Sequence, residues 1–200
     1  MCVRTTKGLK PIDVIYRRVD DDFLDPQVFR KDSLLGVSGI MDVYHRRQVG
    51  LANAPGAGIA DDKAIYTYVP DFIRYYLQED AIIPNVPTFC CLDETQRQHV
   101  IENIADLVVK PVDESGGYGL MIGPFASAAE RSAMVDQIKS NPRSYVAQPT
   151  LSLSRAPVVT EQGLAGRHVD LRPYCVYGED IYVLPGGLTR VALELSLIHI

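Results

Sequence analysis

The sequence predicts an α+β protein in which short strands and short helices alternate between turns rich in glycine and proline. Three observations carry this reading. Runs such as Val14-Ile15-Tyr16 and Leu107-Val108-Val109 have the β-branched and aromatic content of strands. Apolar residues recur at helical spacing over residues 64–77 and 96–107. Gly (15) and Pro (13) are frequent enough to mark many turns, yet 46% hydrophobic residues in a chain of 200 leave material for a sizeable core.

Taken in order, Val14-Ile15-Tyr16 is a short strand that runs into the polar cluster Arg17, Arg18, Asp20, Asp21, Asp22 and Asp25, punctuated by Pro26. Residues 49–54 form a second strand, closed by the turn signal Pro55-Gly56-Ala57-Gly58. Asp61 is the expected N-cap of a helical stretch bearing Ala64, Ile65, Tyr68, Phe72, Ile73, Tyr76 and Leu77, which Pro70 divides in two. After a Pro-rich extended segment at 82–87, residues 96–107 place Val100, Ile101, Ile104 and Leu107 on one helix face. A strand at 107–111, a glycine-rich turn and a strand at 120–122 follow. Ser127 with Glu130 makes a capping box for a helix carrying Met134, Val135 and Ile138, stopped at Asn141-Pro142. Residues 145–153 return to strand, and 158–159, 169–177 and 181–184 read as a meander with glycine turns at 163–166 and 178.

Lys and Arg number 20 against 25 Asp and Glu, a net charge of −5, which argues against a broad nucleic-acid surface but allows a local anionic pocket. The chain has no run of apolar residues long enough to span a membrane, and residues 1–10 lack a signal-peptide core, so a cytoplasmic protein is expected. The four cysteines lack paired metal spacing; Cys90 and Cys91 on a strand would face opposite ways, leaving one buried and inert. Residues 193–200 follow a strand pattern with no turn or cap. The expectation is a piece of a longer protein whose remainder extends the same core, the alternative being a short chain ending in an edge strand. An apolar edge left open in this way would favour a homo-oligomer.

The richest segment runs Val109-Lys110-Pro111-Val112-Asp113-Glu114-Ser115-Gly116-Gly117-Tyr118-Gly119. It is neither a dinucleotide fingerprint nor a Walker A loop, because the lysine precedes the glycines and no helix follows directly. Glycines nevertheless let backbone N–H groups approach phosphate oxygens, and a lysine on the incoming strand can aim a compact charge at the same place. An ordinary hairpin with a glycine-rich loop is the other reading.

Seven motifs in order add a resemblance: Tyr16-Arg17-Arg18-Val19-Asp20-Asp21-Asp22-Phe23, Leu51-Ala52-Asn53-Ala54-Pro55-Gly56, Asp61-Asp62-Lys63-Ala64, Val109-Lys110-Pro111, Ser115-Gly116-Gly117-Tyr118-Gly119, His168-Val169-Asp170-Leu171-Arg172-Pro173 and Leu184-Pro185-Gly186-Gly187-Leu188-Thr189-Arg190. From Val14 to Leu193 the chain resembles the circularly permuted ATP-grasp proteins, whose members are considerably longer. The resemblance implies two α+β subdomains clasping ATP. Residues 11–87 would be part of the core, with an acidic metal motif and linker; 88–149 the lid with its flap; 150–193 further core strands; and 194–200 an atypical tail. It further implies that Lys63 and Lys110 reach the ATP phosphates, that Ser115, Gly116, Gly117 and Gly119 form the flap, and that Gln148 lies near adenine. The backbone at 149–151, Leu151 included, would face the purine edge, where Pro149 offers only its carbonyl.

The implied activity joins a carboxylate to an amine or thiol through an acyl phosphate, with Mg2+ held by hard oxygen ligands. Asp20 and Asp22 are the expected ligands: in an extended segment they share a face, with Arg18 there to steady the transferring group, while Asp21 turns away. A solvated acidic turn is the alternative. Asn53 is a further oxygen ligand, or else an Asx-turn residue. In the alternating run His168 to Arg172, Arg172 would hold phosphate while Asp170 orients it, and Arg190 would meet phosphate or a substrate carboxylate; a salt-bridged surface strand is the alternative. No zinc pair accompanies His168, and no covalent nucleophile is evident. The expected partners are therefore small-molecule or peptide carboxylates and amines or thiols, with neither nucleic acid nor membrane. An ATP-grasp kinase, or a non-catalytic nucleotide-binding or structural fragment, is the competing reading.

Overall fold

The computed structural model describes residues 1–114 and 116–192, so Ser115 and the tail at 193–200 lie outside the described residues. The chain divides into two compact units, 1–80 and 81 onward.

The first unit opens with a hairpin, β1 (Cys2–Thr5) paired antiparallel with β2 (Gly8–Pro11). The sequence reading missed it because its side chains are mostly exposed and show no alternation; cross-strand pairing, not burial, defines it. Strand β3 (Val14–Tyr16) then pairs in parallel with β4 (Gly50–Ala52), Val14 opposite Gly50 and Tyr16 opposite Ala52. The crossover between them contains α1 (Asp21–Leu24) and α2 (Ile40–His45). Leu24, Ile40, Met41 and Leu51 form its core, with Ile15 and Phe29 packed against them. Beside this core lies the fully buried carboxylate of Asp25, which accepts hydrogen bonds from the backbone N–H groups of Gln27 (2.9 Å), Gly39 (3.1 Å) and Met41 (3.0 Å). Asp25 thereby satisfies amides at the start of α2 that the helix itself cannot.

Beyond β4, a 3-10 turn (Ala57–Asp61) leads into α3 (Lys63–Tyr66) and α4 (Val69–Leu77). Pro70 lies in the first turn of α4, where its missing N–H costs nothing, so the expected division occurs there. The cap is Asp62 rather than Asp61: its Oδ1 accepts from Ala64 N at 2.7 Å, while Asp61 ends the 3-10 turn.

The second unit is built on a four-stranded antiparallel sheet in the order β5-β8-β6-β7: β5 (Phe89–Cys90), β6 (Leu107–Pro111), β7 (Met121–Ile122) and β8 (Tyr145–Pro149). Helices α5 (Glu94–Glu102) and α6 (Ala128–Ser140) bury Val100, Met134 and Ile138 against Cys91, Leu107, Val109, Met121 and Ala147. The Asp93 carboxylate caps α5 by accepting from Gln96 N at 2.8 Å. That helix ends at Glu102, because the chain turns at Asn103 to Asp106, and Leu107 joins the core from a strand instead of the helix. The capping box of α6 is present in both directions: Glu130 N donates to Ser127 Oγ (3.3 Å) and Ser127 N to Glu130 Oε2 (2.8 Å). Gly123 permits the close approach of the intervening turn, since a Cβ there would lie 2.0 Å from the Ile104 carbonyl oxygen.

Strand β8 stops at Pro149, short of the expected 153, and the ladder goes no further than the Pro149–Leu107 pair. Three more strands form a separate antiparallel sheet: β9 (Arg155–Thr160), β10 (Gly163–Tyr177) and β11 (Ile181–Val191). The turn before β10 is at Glu161-Gln162; Gly163 pairs with Thr160, so residues 163–166 are strand and not the expected turn. At the far end of the β10–β11 ribbon, Cys175, Val183, Tyr177 and Ile181 share one face, and Val176 and Tyr182 the other. These apolar side chains are exposed, Tyr177 by 85% and Ile181 by 70%.

Candidate functional site

In the first unit, the parallel pairing of β3 and β4 puts Tyr16 and Ala52 side by side at the strands' C-terminal ends. Open α/β sheets bind ligands at such ends. The departing loops carry Arg17 to Asp22 and Asn53 to Gly56. They are tied together by Arg17, a residue absent from the sequence-derived candidates. Its side chain is only 10% exposed. Nε donates to the Asn53 carbonyl (2.8 Å), Nη1 to the Val19 carbonyl (2.6 Å) and Nη2 to the Ala54 carbonyl (2.9 Å), and Nη2 also pairs with the Asp21 carboxylate. The other Asp21 oxygen accepts from Gly56 N at 2.6 Å, and Arg17 N donates to the Ala52 carbonyl at 2.7 Å. Adjacent arginines on a strand end must face opposite ways, so the sequence held a signal that one of them points inward. It did not say which.

The remaining members of the motif face outward: Arg18, Asp20, Asp22 and Asn53 are all exposed. The expectation of an extended acidic run is overturned. Asp20 precedes α1, with its carbonyl accepting from Phe23 N at 3.0 Å, and Asp21 and Asp22 form the first helical turn. Asp20 and Asp22 are therefore not placed on one face by strand alternation. Both remain solvent-facing oxygen donors, the kind Mg2+ takes when phosphates and water complete its shell. Among the described residues, no three His, Cys, Asp or Glu side chains gather into a metal cage. Lys63 is the first residue of α3 and is half-buried.

The second unit holds the lysine of the glycine-rich segment. Val109 and Ala147 face the helices; Val108, Lys110, Val146, Gln148 and Cys90 occupy the opposite face, where Val146 is fully buried and Lys110 and Gln148 are half-buried. There Lys110 Nζ donates to Gln148 Oε1 (2.8 Å), Gln148 Nε2 donates to Thr88 Oγ1 (2.8 Å), and the Thr88 hydroxyl donates to the Val86 carbonyl (2.9 Å). The structure thus brings Lys110 and Gln148 together. Gly116, Gly117 and Gly119 of the following loop have φ values of +68°, +81° and +67°, a conformation that side chains other than glycine's resist. Leu151 is exposed just beyond β8, and Ser115 lies outside the described residues. Cys91 faces the core, where burial pushes its thiol up to about 12, while Cys90 is half-buried on the other side. The expected division of this pair is observed.

On β10 and β11, Asp170 sits directly opposite Arg190. Its Oδ1 accepts from Arg190 N (3.0 Å), and its Oδ2 from Arg190 Nε (2.8 Å) and Nη2. Arg172 Nε is 3.9 Å away. Asp170 thus orients Arg190 rather than Arg172, because the register makes Arg190 its cross-strand neighbour and puts Leu188 opposite Arg172. The side-chain hydrogen bond from Arg190 holds the Asp170 carboxyl below its ordinary range. Arg172 keeps about half of its side chain exposed. His168 Nδ1 lies 2.9 Å from the Leu153 carbonyl, to which it donates.

Comparison with known proteins places this architecture. Residues 1–192 match the family described as circularly permuted ATP-grasp type 2. An uncharacterized protein of Synechocystis sp. is 58% identical over 193 residues, which cover 96% of this chain and 40% of that protein. An uncharacterized protein of Mycobacterium tuberculosis is 51% identical over 192 residues, 96% of this chain and 35% of that one. A Frankia casuarinae protein bearing the name "Putative glutamate--cysteine ligase 2-2" is 41% identical over 187 residues, 94% and 22% of the respective lengths. The chain belongs to the circularly permuted ATP-grasp type 2 family, with the α+β fold expected of it. It spans two fifths or less of the length of these relatives. Among the described residues no helix is long and apolar enough to cross a membrane.

Proposed function

We propose that the protein acts as an ATP-dependent ligase that joins a carboxylate to an amine or thiol, using ATP and Mg2+ in the cytoplasm. The observation that carries the reading is Lys110, half-buried near the end of the strand that leads to a loop of left-handed glycines. An ammonium group on a strand that leads to a glycine loop, whose backbone N–H groups can approach an anion closely, suits a polyphosphate. Membership of the ATP-grasp family supports the same ligand.

In this reading Lys110 of the second unit takes phosphate, the loop amides of Gly116, Gly117 and Gly119 serve the same group, and the base lies by Gln148 and the backbone at Leu151; Lys63 of the first unit is likewise read as a phosphate-binding lysine. Asp20 and Asp22, with Asn53, would hold Mg2+, which when bound neutralises polyphosphate charge. The substrate carboxylate oxygen attacks the γ-phosphorus and the bond to ADP breaks. The amine or thiol then attacks the acyl carbon, phosphate leaves, and the nucleophile's proton is lost. Arg18, Arg172 and Arg190 orient the anionic groups and offset the negative charge that builds up on them. The name carried by the Frankia relative makes glutamate and cysteine the first substrates to offer.

The test is calorimetric ATP binding by the intact protein with Mg2+ present. Lys110→Ala is expected to weaken binding by about tenfold or more, the worth of one charged hydrogen bond, with little change in Tm. Asp20→Ala combined with Asp22→Ala is expected to abolish the magnesium dependence. Equal ATP affinity in Lys110→Ala would remove the assignment. Recovery of ADP with a new amide or thioester, as opposed to a stable phosphorylated product, distinguishes ligase from kinase.

A further inference from the structure

We infer that Arg17, acting with Asp21, is the positioning residue of the first unit's site, an inference that rests on the ligase reading above. Buried arginines with every face of the fork engaged are fixtures of the backbone around them. Here one guanidinium gathers three carbonyls from two loops, those of Val19, Asn53 and Ala54. Asp21 closes the knot from the other side by accepting from Gly56 N. The Asp21 oxygen that meets Arg17 is buried and has no hydrogen-bond donor of its own among the described residues, so Arg17 supplies its compensating charge. Arg17 is nearly buried and both Asp21 oxygens are engaged within the knot. Their neighbours face outward: Arg18, Asp20 and Asn53 are exposed on the two loops, and Asp22 is exposed in the first turn of α1. The knot therefore sets where those outward groups stand, much as an outer-shell partner sets a metal ligand.

The test uses the intact protein, with isothermal titration of ATP at graded Mg2+ concentrations and Tm measured in parallel. Arg17→Lys keeps the charge but loses the fork, and Asp21→Asn keeps an acceptor for Gly56 N but loses the ion pair. Each is expected to raise the Mg2+ midpoint for ATP binding about tenfold, the usual effect of an outer-shell lesion. Asp25→Asn is the structural control: it weakens the same unit and should lower Tm without moving the midpoint. An unchanged midpoint in Asp21→Asn, with wild-type ATP binding dependent on Mg2+, overturns the positioning role and leaves the ligase reading standing. A midpoint that shifts equally in Asp25→Asn also overturns it, since general destabilisation then accounts for the effect. Wild-type protein that binds no ATP removes both.

Discussion

A single carboxylate shows how much one side chain can organise. Asp25 is fully buried, and desolvation alone would raise its pKa; the hydrogen bonds from the N–H groups of Met41, Gln27 and Gly39 outweigh that and hold it below its ordinary 3.8. Its stabilising effect is therefore fully present above that value and is lost as pH falls through the lower folded value. Wild-type Tm should drop on acidification below about pH 4, and Asp25→Asn should flatten that dependence. Asp25→Ala leaves three amides without their partner and should cost about 2–4 kcal/mol in urea unfolding. The site residues divide by the same logic. The place of Lys110 on a strand leading to the glycines was legible because the segment is continuous in sequence, whereas the tie made by Arg17 was not, because its partners Asn53 and Ala54 lie far along the chain. Asp170 was legible as an orienting group, but its choice of Arg190 depends on a cross-strand register that no local pattern encodes.

Among the elements, those written in local signals were readable and those defined by pairing were not. The capping box of α6, the strand at Leu107–Pro111 and the break at Pro70 each follow from a few adjacent residues. The polar β1–β2 hairpin has no such signal, nor does the insertion of β8 between β5 and β6. The N-terminal cap of α6 can be tested directly. Ser127→Ala removes the acceptor for Glu130 N and should destabilise the second unit by about 1 kcal/mol, read as a lower urea midpoint with an unchanged slope. Substituting Gly for Ser127 removes the same acceptor yet should cost only about a few tenths of a kcal/mol, because glycine is itself a tolerated N-cap residue.

For the molecule as a whole, the two units differ in how they bury apolar surface. Cores form around Leu24, Ile40, Met41 and Leu51 in the first and around the helix-covered sheet in the second, yet the β10–β11 ribbon carries exposed apolar residues on both faces. Two-stranded ribbons are marginal alone, and exposed ones are sticky. Replacing Tyr177 and Ile181 together with lysine should lower both dye binding by ANS and concentration-dependent light scattering, while leaving the pH-dependent melting of the Asp25 unit unchanged. Wet on either side, this tongue of tyrosine, valine and isoleucine also makes the choice of buffer consequential. Sulfate and phosphate, which strengthen effective burial, should drive copies of the chain together, and mild urea should part them before either core opens.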